Sequence, residues 1–143
     1  MHRLAPAALL LAVHASMTGC TGLVAGPEVQ AATAVPATKD SAYVRTRRAL
    51  QAESFTMDVV DSSHGHLTGT RYPKADAKLG TQETCRVAVA IDVRSSAETS
   101  EVASSSRWVA PGAMASEATK VCEQERLDVL DRMNQVLVPP PPQ

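Results

Sequence analysis

Hydrophobic residues recur along this chain with two different periods, and the changes of period mark its elements. From Asp40 or Ser41, either of which can cap a helix, to about Glu53, the residues Ala42, Tyr43, Thr46, Ala49 and Leu50 share one helical face while Arg45, Arg48 and Gln51 point away. The period then drops to two. Phe55, Met57 and Val59 alternate with Thr56, Asp58 and Val60, and Asp61-Ser62-Ser63-His64-Gly65 supplies turn chemistry before a second strand from His66 to Tyr72. Pro73 to Gln82 reads as a polar loop. The clearest alternation follows: Cys85, Val87, Val89, Ile91 and Val93 on one face, with Arg86, Ala88, Ala90, Asp92 and Arg94 on the other, which predicts the central strand. Ser95 to Thr99 turns the chain into a serine-rich fourth strand, where Val102, Ser104, Ser106 and Trp108 alternate with Ala103, Ser105 and Val109 until Pro111 and Gly112 end it. A long helix is predicted from about Ser116 to Leu137, with Ala118, Val121, Cys122, Val129, Leu130, Met133 and Val136 along its buried face and Leu127 outside that stripe.

In this order the elements predict an α+β two-layer sandwich over residues 39–138: a helix, a four-stranded antiparallel meander and a long C-terminal helix, with both helices covering one side of the sheet. On either side of that domain the periodicity is lost. Thr21 to Thr38 is rich in Ala, Thr, Gly, Val and Pro, carries Glu28 as its one charge, and reads as a flexible tether over 20–38 with a reach of roughly 20 to 25 Å. Pro139 to Pro142 cannot extend a helix, so residues 139–143 form a short proline-rich tail, either a frayed end or a docking segment.

The start of the chain has a basic end, His2 and Arg3, then an apolar run from Leu4 to Val13 broken by Pro6, then the small residues Ser16, Thr18 and Gly19. Such a run is too short for a hydrocarbon core, which takes about 20 residues, so residues 1–19 read as a removable signal peptide. The tetrapeptide Met17-Thr18-Gly19-Cys20 resembles the lipobox of bacterial lipoproteins, with Met17 where that family usually has leucine. The resemblance covers the first twenty residues. It implies that Cys20 is the lipidation site: diacylglycerol on its thiol, cleavage before it, and often a further acyl chain on the new amino group. Each buried methylene contributes about 0.8 kcal/mol, so two or three chains hold a protein firmly where one does not. Thr21, in place of an aspartate after the cysteine, implies an outer-membrane location facing the periplasm. The predicted layout is also similar to that of small periplasmic lipoproteins and of the compact domains of outer-membrane assembly lipoproteins.

Composition narrows the function. With 14 Lys and Arg against 15 Asp and Glu, the formal charge is −1 and no basic block occurs, so no nucleic-acid partner is expected. Phe55, Trp108, Tyr43 and Tyr72 are the whole aromatic complement, too few for a stacking platform for sugars or bases. The cluster Arg45, Arg47 and Arg48 reads either as a solvated helix face or as an anionic-lipid contact. With Cys20 lipidated, Cys85 and Cys122 remain as an even pair on core-facing positions of an exported chain. That suggests a disulfide, with two buried free thiols as the competing reading.

His64-Gly65-His66, with Asp58 and Asp61 nearby, is the one metal-like grouping, since neutral imidazoles bind zinc or copper. Two histidines at a hairpin tip lack a third and fourth ligand, so turn polarity competes with a weak metal candidate and no cofactor is expected. No G-x-S-x-G, G-x-x-x-x-G-K, H-E-x-x-H or dinucleotide glycine pattern occurs, and Asp92, Glu98 and Glu101 read as solvated charges. The expectation is therefore a non-enzymatic, lipid-anchored envelope protein. It would be tied to the membrane by its N-terminal lipid and act as an accessory or scaffold through contact with an envelope protein partner. The alternative is a periplasmic small-ligand or metal-binding domain that uses the His64/His66 hairpin.

Overall fold

The computed structural model describes residues 22–72, 85–111 and 115–141. The signal peptide, the lipobox with Cys20 and the whole loop from Pro73 to Gln82 lie outside the described residues. Among the described residues there are six strands and two helices: β1 (Leu23–Ala25), β2 (Val29–Val35), α1 (Lys39–Ala52), β3 (Thr56–Asp61), β4 (His66–Arg71), β5 (Arg86–Ser96), β6 (Thr99–Pro111) and α2 (Ala115–Leu137). All strand pairs are antiparallel. The sheet runs β1-β6-β5-β4-β3, and β2 also pairs with β6.

The class α+β stands, with a helix before the meander and a long helix after it. The strand number is corrected from four to six, and the extra two come from the segment expected to be a tether. β2 lies along the first half of β6, with Val35 opposite Ser100 and Val29 opposite Ser106, and β1 continues alongside it, with Ala25 opposite Val109 and Leu23 opposite Pro111. Three residues lie between Ala25 and Val29 where two lie between Ser106 and Val109, so the two strands form one ribbon with a single extra residue at the break. Gly26 sits at that break because a side chain does not fit there. Its N–H donates to the Trp108 carbonyl at 2.9 Å, and an added Cβ would lie 2.1 Å from Trp108 Nε1. The indole thus packs across a bare stretch of backbone.

Helix α1 begins at Lys39, slightly earlier than expected, because Thr38 is the cap: its hydroxyl accepts from the Ser41 amide at 3.3 Å. At the other end Ser54 takes a left-handed conformation (φ 64°), with Ser54 N–H donating to the Gln51 carbonyl and Phe55 N–H to that of Leu50. This is a complete Schellman closure, and the Leu50–Phe55 pair flanking it joins the core. The buried residues of α1 are the expected set, Ala42, Tyr43, Thr46, Ala49 and Leu50.

Strand β5 also follows its pattern: Val87, Val89, Ile91 and Val93 are all buried against the helices. β3 departs from its pattern. Its pairing shifts between Met57 and Val59, so Asp58 is the bulged residue, the alternation changes phase, and Val59 and Val60 are both exposed on this edge strand. The β3–β4 turn closes through Gly65 (φ 74°), where a Cβ would lie 2.4 Å from the Val93 carbonyl.

On α2 the expected stripe is corrected too. Val121 and Val136 are exposed, while Cys122, Arg126, Val129, Met133 and Leu137 are buried, at spacings of four and three that trace one helical face. Leu127 lies outside it, as the pattern required. Both helices pack on the same face of the sheet, and α2 lies across β5 and β6 in a helix-grip-like sandwich. Among the described residues, no helix is long and apolar enough to cross a membrane.

Candidate functional site

Three places bear on function: the inner face of the sheet under α2, its outer face, and the β3–β4 hairpin. The inner face carries a groove of about 280 Å³ between edge strand β2 and α2. Odd-numbered residues of β2 point inward, ending in buried Val35, so Val29, Ala31 and Thr33 form one wall. Ile91, Val102 and Ser104 form the floor, and Leu127, Leu130 and Asn134 close over it from the helix. Thr33 Oγ1 meets Asn134 Oδ1 at 3.2 Å across the groove toward its Leu137 end. The opening exists because β2 lies at the sheet margin and α2 meets it at Thr33, toward the Leu137 end, which leaves Val29 and Ala31 exposed although they face inward.

At the deep wall stands Arg126, a charged side chain only 2 % exposed. Burial of an uncompensated guanidinium would be costly, and the Glu123 carboxylate matches its charge. Arg126 Nε donates to Glu123 Oε2 at 3.2 Å, Nη2 donates to Glu123 Oε1, and Nη1 donates to Ser106 Oγ at 3.2 Å. Trp108 Nε1 donates to the same Glu123 Oε2 at 3.0 Å. The Arg126 bonds, helped by the indole and opposed by partial burial, hold the Glu123 carboxyl below the usual carboxylate range. Beside this cluster, Cys85 and Cys122 lie at disulfide distance, with Cα atoms 5.2 Å apart, packed with Trp108, Ala110 and Val24. Sequence reasoning placed Cys85 and Cys122 on core-facing positions but passed over Arg126 and Glu123. The available signal was position: Arg126 falls four residues after Cys122 and three before Val129, on the apolar stripe itself.

The histidine hairpin does not assemble a metal centre. His64 is exposed and turns toward Asp61, with Nδ1 2.7 Å from Oδ2, while His66 turns toward its cross-strand neighbour Asp92, with Nδ1 2.8 Å from Oδ1. The two imidazoles therefore have different partners, and Asp58 is taken by the Thr70 hydroxyl at 2.7 Å. Among the described residues, no group of three side chains is placed to hold a metal.

Ser63, His64 and Asp61 have the composition of a hydrolase triad but not its wiring. Ser63 Oγ and Asp61 both approach the same ring nitrogen, Nδ1, whereas a relay needs the nucleophile on one nitrogen and the acid on the other. Ser63 also donates to Asp61 Oδ1 at 2.6 Å, and the His64 amide donates to that oxygen at 3.1 Å. These bonds, Ser63 first and His64 next, hold Asp61 far below the usual carboxylate range and make the cluster a polar turn closure.

The outer face of the sheet has a broader, open trough of about 540 Å³ floored by the small residues Ala32, Ala90, Ala103 and Ser105, with Glu28, Asp92 and Arg94 at its edges. Neither helix covers it. Among buried side chains of the described residues, the Tyr43 hydroxyl is the one polar group without a hydrogen-bond partner, and its burial pushes its pKa up.

No family model matches this chain, and no curated protein matches its sequence. Solved structures do match in shape. Ara h 8.0201 superposes with a TM-score of 0.52 at 10% identity, covering 81% of this chain and 98% of that one. The protein TTHA0849 from Thermus thermophilus gives 0.42 at 13% identity, covering 78% and 97%, and truncated norcoclaurine synthase from Thalictrum flavum gives 0.42 at 12%, covering 84% and 98%. The first likeness shows the fold alone, and the other two superpose too loosely to add to it.

Proposed function

We propose that this is a lipid-anchored cell-envelope protein, held through Cys20 at the outer membrane and facing the periplasm, whose domain holds a small apolar molecule between β2 and α2. The observation that carries the binding half is the groove: aliphatic walls from Val29, Ile91, Val102, Leu127 and Leu130 line a space with Arg126 at one end and Thr33 and Asn134 toward the other. Concave, mostly apolar surface with a few fixed polar groups is the usual form of a small-molecule site. At about 30 Å³ per water, the groove displaces on the order of nine waters, which suits a short chain or a single ring system. The ligand-binding reading thus moves from the His64/His66 hairpin to the inside of the grip. It assigns binding rather than chemistry, since the Ser63-His64-Asp61 turn lacks a relay. The anchor half rests on the tetrapeptide Met17-Thr18-Gly19-Cys20.

Titration with the neutral fluorescent dye 1-N-phenylnaphthylamine tests the groove. Saturable, one-to-one binding is expected, and Ala31→Phe should abolish it by filling the groove from an exposed edge position without touching the core. Absence of binding, or equal binding to the variant, would remove this reading. A second reading, an accessory or scaffold that acts by contact with an envelope protein, is favoured by the uncovered trough over Ala32, Ala90 and Ala103.

A further inference from the structure

We infer that the groove selects uncharged ligands that carry a hydrogen-bond acceptor, such as alcohols, ketones or amides, and rejects the corresponding carboxylates. The inference rests on the groove reading proposed above and deepens it.

A buried arginine at the end of an apolar slot invites the opposite conclusion, that it receives the carboxylate of an acid. The local charge count decides against it. Arg126 is already engaged side-on by both oxygens of Glu123, which remains ionised because its carboxyl is held below the usual range. The pair is neutral as a unit, and the third guanidinium nitrogen is directed to Ser106. The other charged group lining the groove is Asp131, on the exposed face of α2, and it adds negative charge at the mouth. An entering carboxylate would lose its water, meet a guanidinium whose charge is already matched, and pass a second carboxylate on the way.

A neutral acceptor meets none of these costs. The five N–H bonds of a guanidinium exceed the three contacts made here, so donors remain for a ligand oxygen, and Ser104 lines the floor of the same groove. A cationic ligand would likewise lose its water at the deep end against a pair that is neutral as a unit. The selection therefore follows from Glu123, which does not touch the ligand but sets the charge that the ligand meets. Glu123 is a positioning and charge-setting residue.

The test is competition for the dye by 1-octanol and by octanoate at pH 7 in the full chain. Octanol should displace it at a concentration about tenfold or more below that needed for octanoate, a gap of one decade in Kd. Glu123→Gln keeps an acceptor for Arg126 and Trp108 while removing the negative charge, so it should narrow or reverse the preference. Octanoate competing as well as octanol, or Glu123→Gln leaving the ratio unchanged, would overturn the inference while leaving the groove reading intact. Failure of the dye to bind at all would instead remove the groove reading itself. If Glu123→Gln does not fold, the unaltered protein supplies a second measurement. As pH falls through the ligand's own carboxyl pKa, octanoic acid becomes neutral and should gain affinity while octanol stays constant. A flat response of the acid would also overturn the inference.

Discussion

A single carboxylate, Glu123, joins three features: the buried guanidinium of Arg126, the indole of Trp108 and the deep end of the groove. Its chemistry fixes a pH dependence. Because its folded pKa is lowered, the stabilisation is fully present above the ordinary carboxyl range, near pH 4.3, and is lost as pH falls through the lower folded value. Asp61, on the exposed hairpin turn, titrates in the same sense, so the unaltered protein alone does not separate the two. Comparison with Glu123→Gln does. The chain has one tryptophan, and its N–H is bonded to Glu123, so its emission reports this site directly. Acid titration of the unaltered protein should shift Trp108 emission below about pH 4, while the variant should show no such step and a shallower loss of thermal stability. An identical step in both proteins would place the titration elsewhere.

At the scale of elements, α2 is both a roof over the core and one side of the groove, and it meets the start of β5 where Cys85 and Cys122 lie at disulfide distance. The pair spans 37 residues of sequence, so a bond closing that loop would stabilise the fold by about 4 kcal/mol on the chain-entropy model. Non-reducing peptide mapping should recover the two cysteines linked, and Cys122→Ser should lower the midpoint of thermal unfolding even if only half of that contribution is realised. Free alkylation of both thiols in the unfolded, unreduced protein would rule the bond out. How much of this was legible follows from contrast between neighbouring residues. β5 was plain because Val, Ile and Cys alternate with Arg, Asp and Ala, and α1 because its aliphatic face opposes arginines. β1 and β2 were missed because Ala31, Ala32 and Ala34 put the same small side chain on both faces, and an edge strand with an open inner wall needs no strong pattern. The fourth strand looked weakest from its serines, yet β6 is the strand to which β1, β2 and β5 all pair. Two of those serines have inner-face partners: Ser100 donates to the Ala37 carbonyl and Ser106 accepts from Arg126. The groove itself was illegible because its charged end reads, one residue at a time, as a solvated helix face. Only the placement of Arg126 on the apolar stripe of α2 marks it as internal.

For the whole molecule, the position of β1 changes what the proposed anchor does. A flexible tether through Thr38 would lift the domain roughly 20 to 25 Å from the lipid. With strand pairing from Leu23 onward, Thr21 and Gly22 alone separate Cys20 from the sheet, a span of at most about 10 Å from Cys20 to Leu23. On the anchoring proposed here, the domain therefore rests on the headgroups, end-on. The end that meets them carries Leu23, the start of β5 and the end of β4, since Leu23 pairs with Pro111, Val109 with Arg86, and Val87 with Arg71. Its exposed side chains suit that position. Leu23 is 64 % and Tyr72 48 % exposed, and the Arg86 guanidinium lies 5.8 Å above the Tyr72 ring. Tyrosine favours the membrane–water interface, and arginine reaches headgroup phosphates from an apolar base. The Arg126 end of the groove, level with Val29 opposite Ser106, is then the end nearer the bilayer. Neutron reflectometry of the protein on a supported bilayer, with acylation of Cys20 established by intact mass, checks this arrangement. The protein layer should begin at the headgroups with no water gap, and ten Gly/Ser residues inserted after Gly22 should open one. Cys20→Ala should leave the domain in solution. A gap of tens of ångströms beneath the acylated, uninserted protein would mean that residues 23–35 leave the sheet at the membrane and serve as the tether after all.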